Sequence, residues 1–192
     1  MMNIAIFASG NGRNFQVLAE KIQSGKINAR LKFVFSDQRK AYVLKRAKKL
    51  NVLSFSFELK EFVNKEVYEL KLKELLKQYK VDLIMLAGYM KIVGATLLKA
   101  YGGKIINIHP TFLPDFPGAQ GIKDAWDAQI QESGVSVHYV NAGVDTGKII
   151  QQVRIPRLIN DTLASFAQRI HKAEYQLYPE VLEKLIKEGL KS

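Results

Sequence analysis

The chain has 192 residues, 47% of them hydrophobic, which suits one domain with a core large enough to need no disulfide or metal brace. It has no cysteine, which excludes disulfides, thiolate zinc sites and a cysteine nucleophile and suits a reducing cytoplasm. Lys+Arg 29 against Asp+Glu 18 leaves a net charge of +11, a surplus that draws anionic ligands towards the protein. The lysines are spread along predicted helices, as in Lys71-Leu72-Lys73 and Lys184-Leu185-Ile186-Lys187. A nucleic-acid binder clusters its charge with aromatics interleaved, so nucleic acid is the disfavoured partner.

The stretch Met1–Gly10 is apolar, lacks a basic leader region and ends in a Gly/Asn turn. It predicts a buried strand over Asn3–Ala8, not a signal peptide. No apolar run is long enough to span a bilayer. Helical spacing of Phe15, Leu18, Ala19 and Ile22 predicts a helix over Asn14–Gln23. A strand over Leu31–Phe35, a helix over Ala41–Leu50 and a short strand over Leu53–Phe57 follow. Phe62–Tyr79 carries Tyr68, Leu72, Leu75, Leu76 and Tyr79 on one helical stripe. Val81–Ala87 is a continuous apolar run with one Asp, the pattern of a parallel strand buried on both faces. A helix over Val93–Tyr101 and a strand over Lys104–Ile108 complete a β-α-β-α order. That order predicts an α/β, Rossmann-like, doubly wound and mostly parallel sheet.

The second half changes character. Thr111–Gly121 holds Pro114, Pro117, Gly118 and Gly121 and predicts an irregular loop, a candidate lid. A helix is predicted over Ile122–Ile130. Strands over Gly134–Asn141 and Gly147–Arg154, with a short turn between, predict an antiparallel C-terminal pair. Thr162–Tyr178 reads as a long C-terminal helix with Asp161 as its N-cap. Pro179 is expected to break or kink it, and Glu180–Leu190 finishes the chain. No repeat or interdomain linker interrupts residues 1–192, which predicts a single domain.

The chemistry concentrates at Asn107-Ile108-His109-Pro110. Residues i and i+2 of a strand share one side, so an amide and an imidazole share a face at a strand end. Pro110, with no N–H for the ladder, stops the strand. Asp145, on the Gly-flanked turn Gly143-Val144-Asp145-Thr146-Gly147, is a natural partner for His109. Amide, imidazole and carboxylate together can stabilise an oxyanion and move protons.

Other signals are weaker. Ser9-Gly10-Asn11-Gly12-Arg13-Asn14 joins the first strand to the first helix. Helix N-termini bind phosphate, and Arg13 can add a charge-assisted bond. The spacing is neither Walker nor G-x-G-x-x-G, and the alternative is a tight turn capped by Asn14. Met85–Ile92 closes the fourth strand, where α/β sheets bind ligands; its alternative is a plain strand end. His171 reads as a structural residue whose helix end could face a ligand. For His138, orienting the catalytic loop and simple packing both stand. Three histidines without a ligand-spaced carboxylate predict no metal site. No G-x-S-x-G elbow supports a serine hydrolase.

The run Asn107-Ile108-His109-Pro110-Thr111-Phe112-Leu113-Pro114-Asp115-Phe116-Pro117-Gly118 resembles the formyltransferase superfamily that uses 10-formyltetrahydrofolate. The likeness continues through Ser136–Val140 and Val144-Asp145-Thr146-Gly147. Ser9–Asn14 narrows it to the purine-synthesis branch, whose members formylate glycinamide ribonucleotide. The resemblance covers Met2 to about Leu185 and implies the formyltransferase fold. It implies Asn107, His109 and Asp145 as the catalytic amide, imidazole and carboxylate. Gly12, Arg13 and Asn14 fall where the family binds the ribose 5-phosphate, and Glu174 where it contacts the ribose. Met90, Lys91, Ile92 and Val93, with Asn141, Ala142, Gly143, Val144 and Asp145, fall where it holds the folate ring. It further implies small-molecule partners only, no metal, no membrane, a cytoplasmic monomer or homodimer.

Two departures stand out. Arg13 replaces a serine common in the family, and Gly118–Ile122 lacks histidines that some members carry. Methionyl-tRNA formyltransferase and formyltetrahydrofolate hydrolase are the rivals within the superfamily. Each normally carries an extra domain for which this length leaves no room. A non-catalytic nucleotide- or RNA-binding module is the rival outside it, and it gives Asn107, His109 and Asp145 no shared purpose.

Overall fold

The structure, a computed structural model, describes residues 1–189. The first half alternates as the sequence predicts: β1 (Met2–Phe7), α1 (Arg13–Gln23), β2 (Ala29–Ser36), α2 (Tyr42–Lys49), β3 (Ser54–Ser56), a 3-10 turn (Leu59–Glu61), α3 (Lys65–Gln78), β4 (Leu83–Leu86), α4 (Ala95–Tyr101) and β5 (Ile105–His109). The second half adds α5 (Gly121–Asp127), β6 (Glu132–Tyr139), β7 (Ile149–Pro156) and α6 (Leu163–Glu188). The strands form one sheet in the order β3-β2-β1-β4-β5-β6-β7. The pairs among β3, β2, β1, β4 and β5 are parallel; β6 is antiparallel to both β5 and β7.

Alternation along the strands divides the core into two layers. Ile4, Ile6, Met85, Ile106, Ile108, Val135 and Val137 pack beneath α1, α2 and α6. Ala5, Phe7, Phe33, Phe35, Ile84, Leu86 and Ile105 pack beneath α3 and α4. The second layer is rich in aromatics, with Phe35 lying 4.7–6.3 Å, ring to ring, from Phe7, Phe57, Tyr68 and Tyr89. Strand order reverses between β1 and β4, and a crevice opens there beyond the carboxyl ends of the strands.

Several boundaries differ from expectation. Phe62 lies outside α3, because Asn64 caps that helix by accepting a bond from Val67 N at 2.9 Å. Thr162, not Asp161, caps α6, forming a reciprocal box with Ser165. Asp161 instead holds Arg169 through two 2.7 Å bonds. Strands β6 and β7 are displaced from their predicted ends because Asn141–Lys148 is used by the turn.

Pro179 does not end α6. An interior proline costs about 3 kcal/mol. Val181, Leu182 and Leu185, on the far side of it, are buried in the same layer as Phe166, Ile170 and Leu177. At roughly 1.5–3 kcal/mol each, their burial outweighs that cost. Leu190, the predicted end of the last segment, lies outside the described residues. Between the two apolar stretches, Tyr178 is fully buried, and its hydroxyl donates to Leu86 O at 2.8 Å and Ile106 O at 3.2 Å. It thereby ties α6 to the end of β4 and to Ile106 within β5. No described helix is long and apolar enough to cross a membrane.

Candidate active site

On β5, Ile105 faces α3 and α4, and alternation carries Asn107 and His109 onto the same face. Asp145 arrives from the β6–β7 turn in a left-handed conformation, φ 53°. That region is sparsely populated by non-glycine residues, though Asp tolerates it better than most. The three side chains meet: Asn107 Nδ2 donates to Asp145 Oδ1 at 3.3 Å, and His109 Nδ1 lies 3.3 Å from Asp145 Oδ2. His109 is held at its other end as well, with Nε2 donating to Phe116 O at 2.9 Å. Both ring nitrogens therefore face acceptors. Gly121 packs so closely on this ring that a Cβ there would come within 3.1 Å of Nε2.

His138 completes the group. It sits directly across from Asn107 in the β5–β6 register. Its Nδ1 donates to Tyr139 O at 2.9 Å, and Nε2 lies 3.4 Å from both Asn107 Nδ2 and Asp145 Oδ1. Of the two readings open from sequence, this contact favours the orienting one. Burial pushes the Asp145 carboxyl up in pKa. The bond to His138, the Gly118 N–H at 2.8 Å and the charges of His109 and His138 outweigh it and bring it down to about 2. Asp145 is thus a carboxylate at neutral pH.

These residues line a cleft of about 1000 Å³. At α1, Gly12 is the N-cap with φ 76°, no side chain caps the helix and no acid occupies its first turn. A Cβ on Gly12 would lie 2.4 Å from Val43 Cγ2, so close packing and backbone angle both demand glycine. Gly12, Arg13 and Asn14 line the cleft, as does Glu174 from α6. Asn14 is not a cap: it lies inside the helix and its Nδ2 reaches Glu174 Oε1 at 3.4 Å. Its Oδ1 is buried and has no partner among the described residues. Met90, Lys91, Ile92, Val93, Asn141, Gly143, Val144 and Asp145 also line the cleft. Ala142 does not; it sits exposed within the turn where Asn141 Oδ1 accepts from Gly143 N and Thr146 Oγ1.

Sequence reasoning missed several participants. His171, read as structural but on a helix end that could face a ligand, lines the cleft, and its Nδ1 donates to Glu174 Oε2 at 2.6 Å. That bond raises its pKa above the ordinary histidine value, against the opposing effects of burial and of Arg13. Ser9 Oγ donates to buried Asp37 at 2.5 Å and accepts from Met90 N at 2.8 Å, joining the glycine turn to the Met90–Val93 wall. Buried Glu69 holds the other end of that wall by accepting from Gly94 N at 2.5 Å and Leu97 N at 3.3 Å. The spacing Lys65-Glu66-Val67-Tyr68-Glu69 offered one signal, since Glu69 neighbours Tyr68 and Leu72 on the apolar stripe.

The sequence pattern of the family described as Formyl transferase matches residues 2–182. The chain is 44% identical over 186 residues to the phosphoribosylglycinamide formyltransferase of Bacillus subtilis (strain 168), covering 97% of this chain and 95% of that one. Among solved structures, it superposes on phosphoribosylglycinamide formyltransferase from Streptococcus pneumoniae TIGR4 with a TM-score of 0.92 at 60% identity, covering 97% and 99% of the two chains. Glycinamide ribonucleotide transformylase 1 from Geobacillus kaustophilus matches with a TM-score of 0.94 at 43% identity, covering 96% and 98%.

Proposed function

The chain belongs to the formyl transferase family, and on that premise we propose that it transfers the formyl group of 10-formyltetrahydrofolate to the amine of 5'-phosphoribosylglycinamide, a step of de novo purine synthesis. The observation that carries this reading is the convergence of Asn107, His109 and Asp145 in one cleft with an uncapped, glycine-led helix N-terminus. A phosphate fits the N–H groups of α1 beside Arg13, and Glu174 accepts from ribose hydroxyls. The exposed apolar side chains of Met90, Ile92 and Val144 offer walls for the flat folate ring.

In this reading the amine nitrogen attacks the formyl carbon, and the formyl oxygen takes up negative charge. The Asn107 amide donates to that oxygen. Its bond to Asp145 is 3.3 Å long, so exchange for the developing oxyanion costs little. His109, with both nitrogens held, contributes positive charge beside the oxyanion. A water at the Asp145 carboxylate carries the proton from the attacking nitrogen to N10 as the C–N10 bond breaks. No covalent enzyme intermediate is required. The same reading makes residues 1–192 one formyltransferase domain, acting in the cytoplasm as a monomer or homodimer.

The test is transfer from 10-formyltetrahydrofolate to glycinamide ribonucleotide, followed by absorbance of the released folate, beside a control lacking the amine. Amine-dependent turnover that falls on the order of 10²–10³ in His109→Ala is the expected result. Folate release without the amine would mean a hydrolase. Silence in both would turn the assignment towards tRNA or RNA.

A further inference from the structure

His109, Ser136 and Gln152 lie side by side across three strands. In the sheet register His109 is opposite Ser136, and Ser136 is opposite Gln152. Cross-strand partners share a face, so the catalytic imidazole begins a polar row that ends two strands away. Gln152 and Ser136 are not among the residues lining the cleft. Ser136 is fully buried.

The row closes on itself through the loop that follows β5. Gln152 Nε2 donates to Ser136 Oγ at 2.7 Å and to Leu113 O at 2.8 Å. Ser136 Oγ donates to Thr111 O at 2.7 Å and accepts from Leu113 N at 3.0 Å. Thr111, also fully buried, donates its hydroxyl to Asp115 O at 2.6 Å, with Phe116 O beside it at 3.3 Å, and so holds the peptide that carries the Phe116 carbonyl. Phe116 O is the acceptor that holds His109 Nε2. With Nε2 fixed there, Nδ1 is the nitrogen left to meet Asp145.

We propose that Gln152 is a positioning residue for the formyl-transfer reaction. Acting through Ser136 and the Thr111–Phe116 loop, it fixes which nitrogen of His109 faces Asp145. It touches neither substrate. Both of its bonds are donated, and one of them ends on the oxygen that steers the loop. Removing those N–H donors frees the loop carbonyls to shift, and the imidazole can then turn. Buried hydrogen-bond networks couple in this way because each member left unpaired carries a desolvation cost. The proposal rests on the formyl-transfer reading above, and wild-type turnover separates the two: a silent wild type refutes that reading whatever the variants do.

The test compares wild type with Gln152→Leu and Gln152→Glu, which remove the donors, and with Ser136→Ala, which removes the relay. Steady-state kinetics are read with 15N NMR of the histidine rings. The expected result is a kcat lower by roughly tenfold to a hundredfold, with KM for both substrates within about twofold of wild type. The His109 Nε2–H signal should move in the same variants, while that of His171 stays. Unchanged kcat with an unchanged His109 signal would overturn the proposal. So would a loss confined to raised KM values or to a lower melting temperature, since that is what a purely structural bond predicts.

Discussion

Strands β1, β2 and β4 bury apolar side chains on both faces, whereas β5 past Ile105 and β6 carry apolar side chains on one face and mostly polar ones on the other, a row that Gln152 of β7 extends. In the first region Phe7, Phe33 and Phe35 fill the side that faces α3. In the second, that same side carries the rows Asn107–His138 and His109–Ser136–Gln152. The change comes where the sheet turns from parallel to antiparallel. Parallel strands are covered by crossover helices on both sides, but the β6 and β7 face is covered by a loop instead. Loops bring carbonyls and N–H groups, so a polar row can be satisfied there without a helix above it. Aromatic packing and the polar rows are therefore carried by different flanks of one sheet.

Damage to the two flanks should look different. Phe35 is fully buried among aromatic rings, and Phe35→Ala is expected to cost about 3–5 kcal/mol of unfolding free energy. Urea denaturation measures this, and whatever protein remains folded should turn over nearly as well as wild type. Asn107→Ala reverses the pattern. Its kcat should fall on the order of 10²–10³ while its urea midpoint stays close to wild type, because the amide is only partly buried and its bonds are long. Asp145→Asn should behave alike. If Asn107→Ala unfolds as readily as Phe35→Ala, the division of labour between the flanks is wrong.

The smallest effect belongs to the pair His171–Glu174, outside both flanks. Their bond raises the His171 pKa above 6.5, so the charged form is favoured in the fold. Its contribution is fully present below the unfolded value and is lost as pH rises through the raised one. Because the His171 side chain is about half exposed, solvent screening keeps the effect small. Melting temperatures taken from about pH 6 to about pH 9 should show a slight decline that His171→Asn flattens. An identical slope in the variant would show that the pair contributes nothing to the pH dependence.

The parallel flank was readable in the sequence because its rule is one-dimensional: continuous apolar runs alternate with helical stripes, as in Val81–Ala87 after Phe62–Tyr79. The Asn107–His109 face was readable because two residues on one strand need no register. The partners of those residues were not. His138 and Ser136 become neighbours of Asn107 and His109 only through the β5–β6 register, and Gln152 only through a further one. Pro179 misled for the same reason: local chain chemistry argues for a break, while the burial of Val181 and Leu182 depends on the sheet beneath. Asp161 and Thr162 show how close two cap candidates can be, since Arg169, eight residues on, captures the acid and leaves the hydroxyl to cap.

The Tyr178 hydroxyl works as a spacer gauge. It fastens α6 to the last residue of β4 and to Ile106 within β5, and Glu174 projects from that helix one turn earlier. The wall that carries Glu174 and the strand that carries Asn107 are thus set at one separation. A cleft of fixed span accepts an amine that sits a set number of bonds from its phosphate. A homologue of the substrate lengthened by one methylene would seat either its anchor or its nucleophile correctly, but not both.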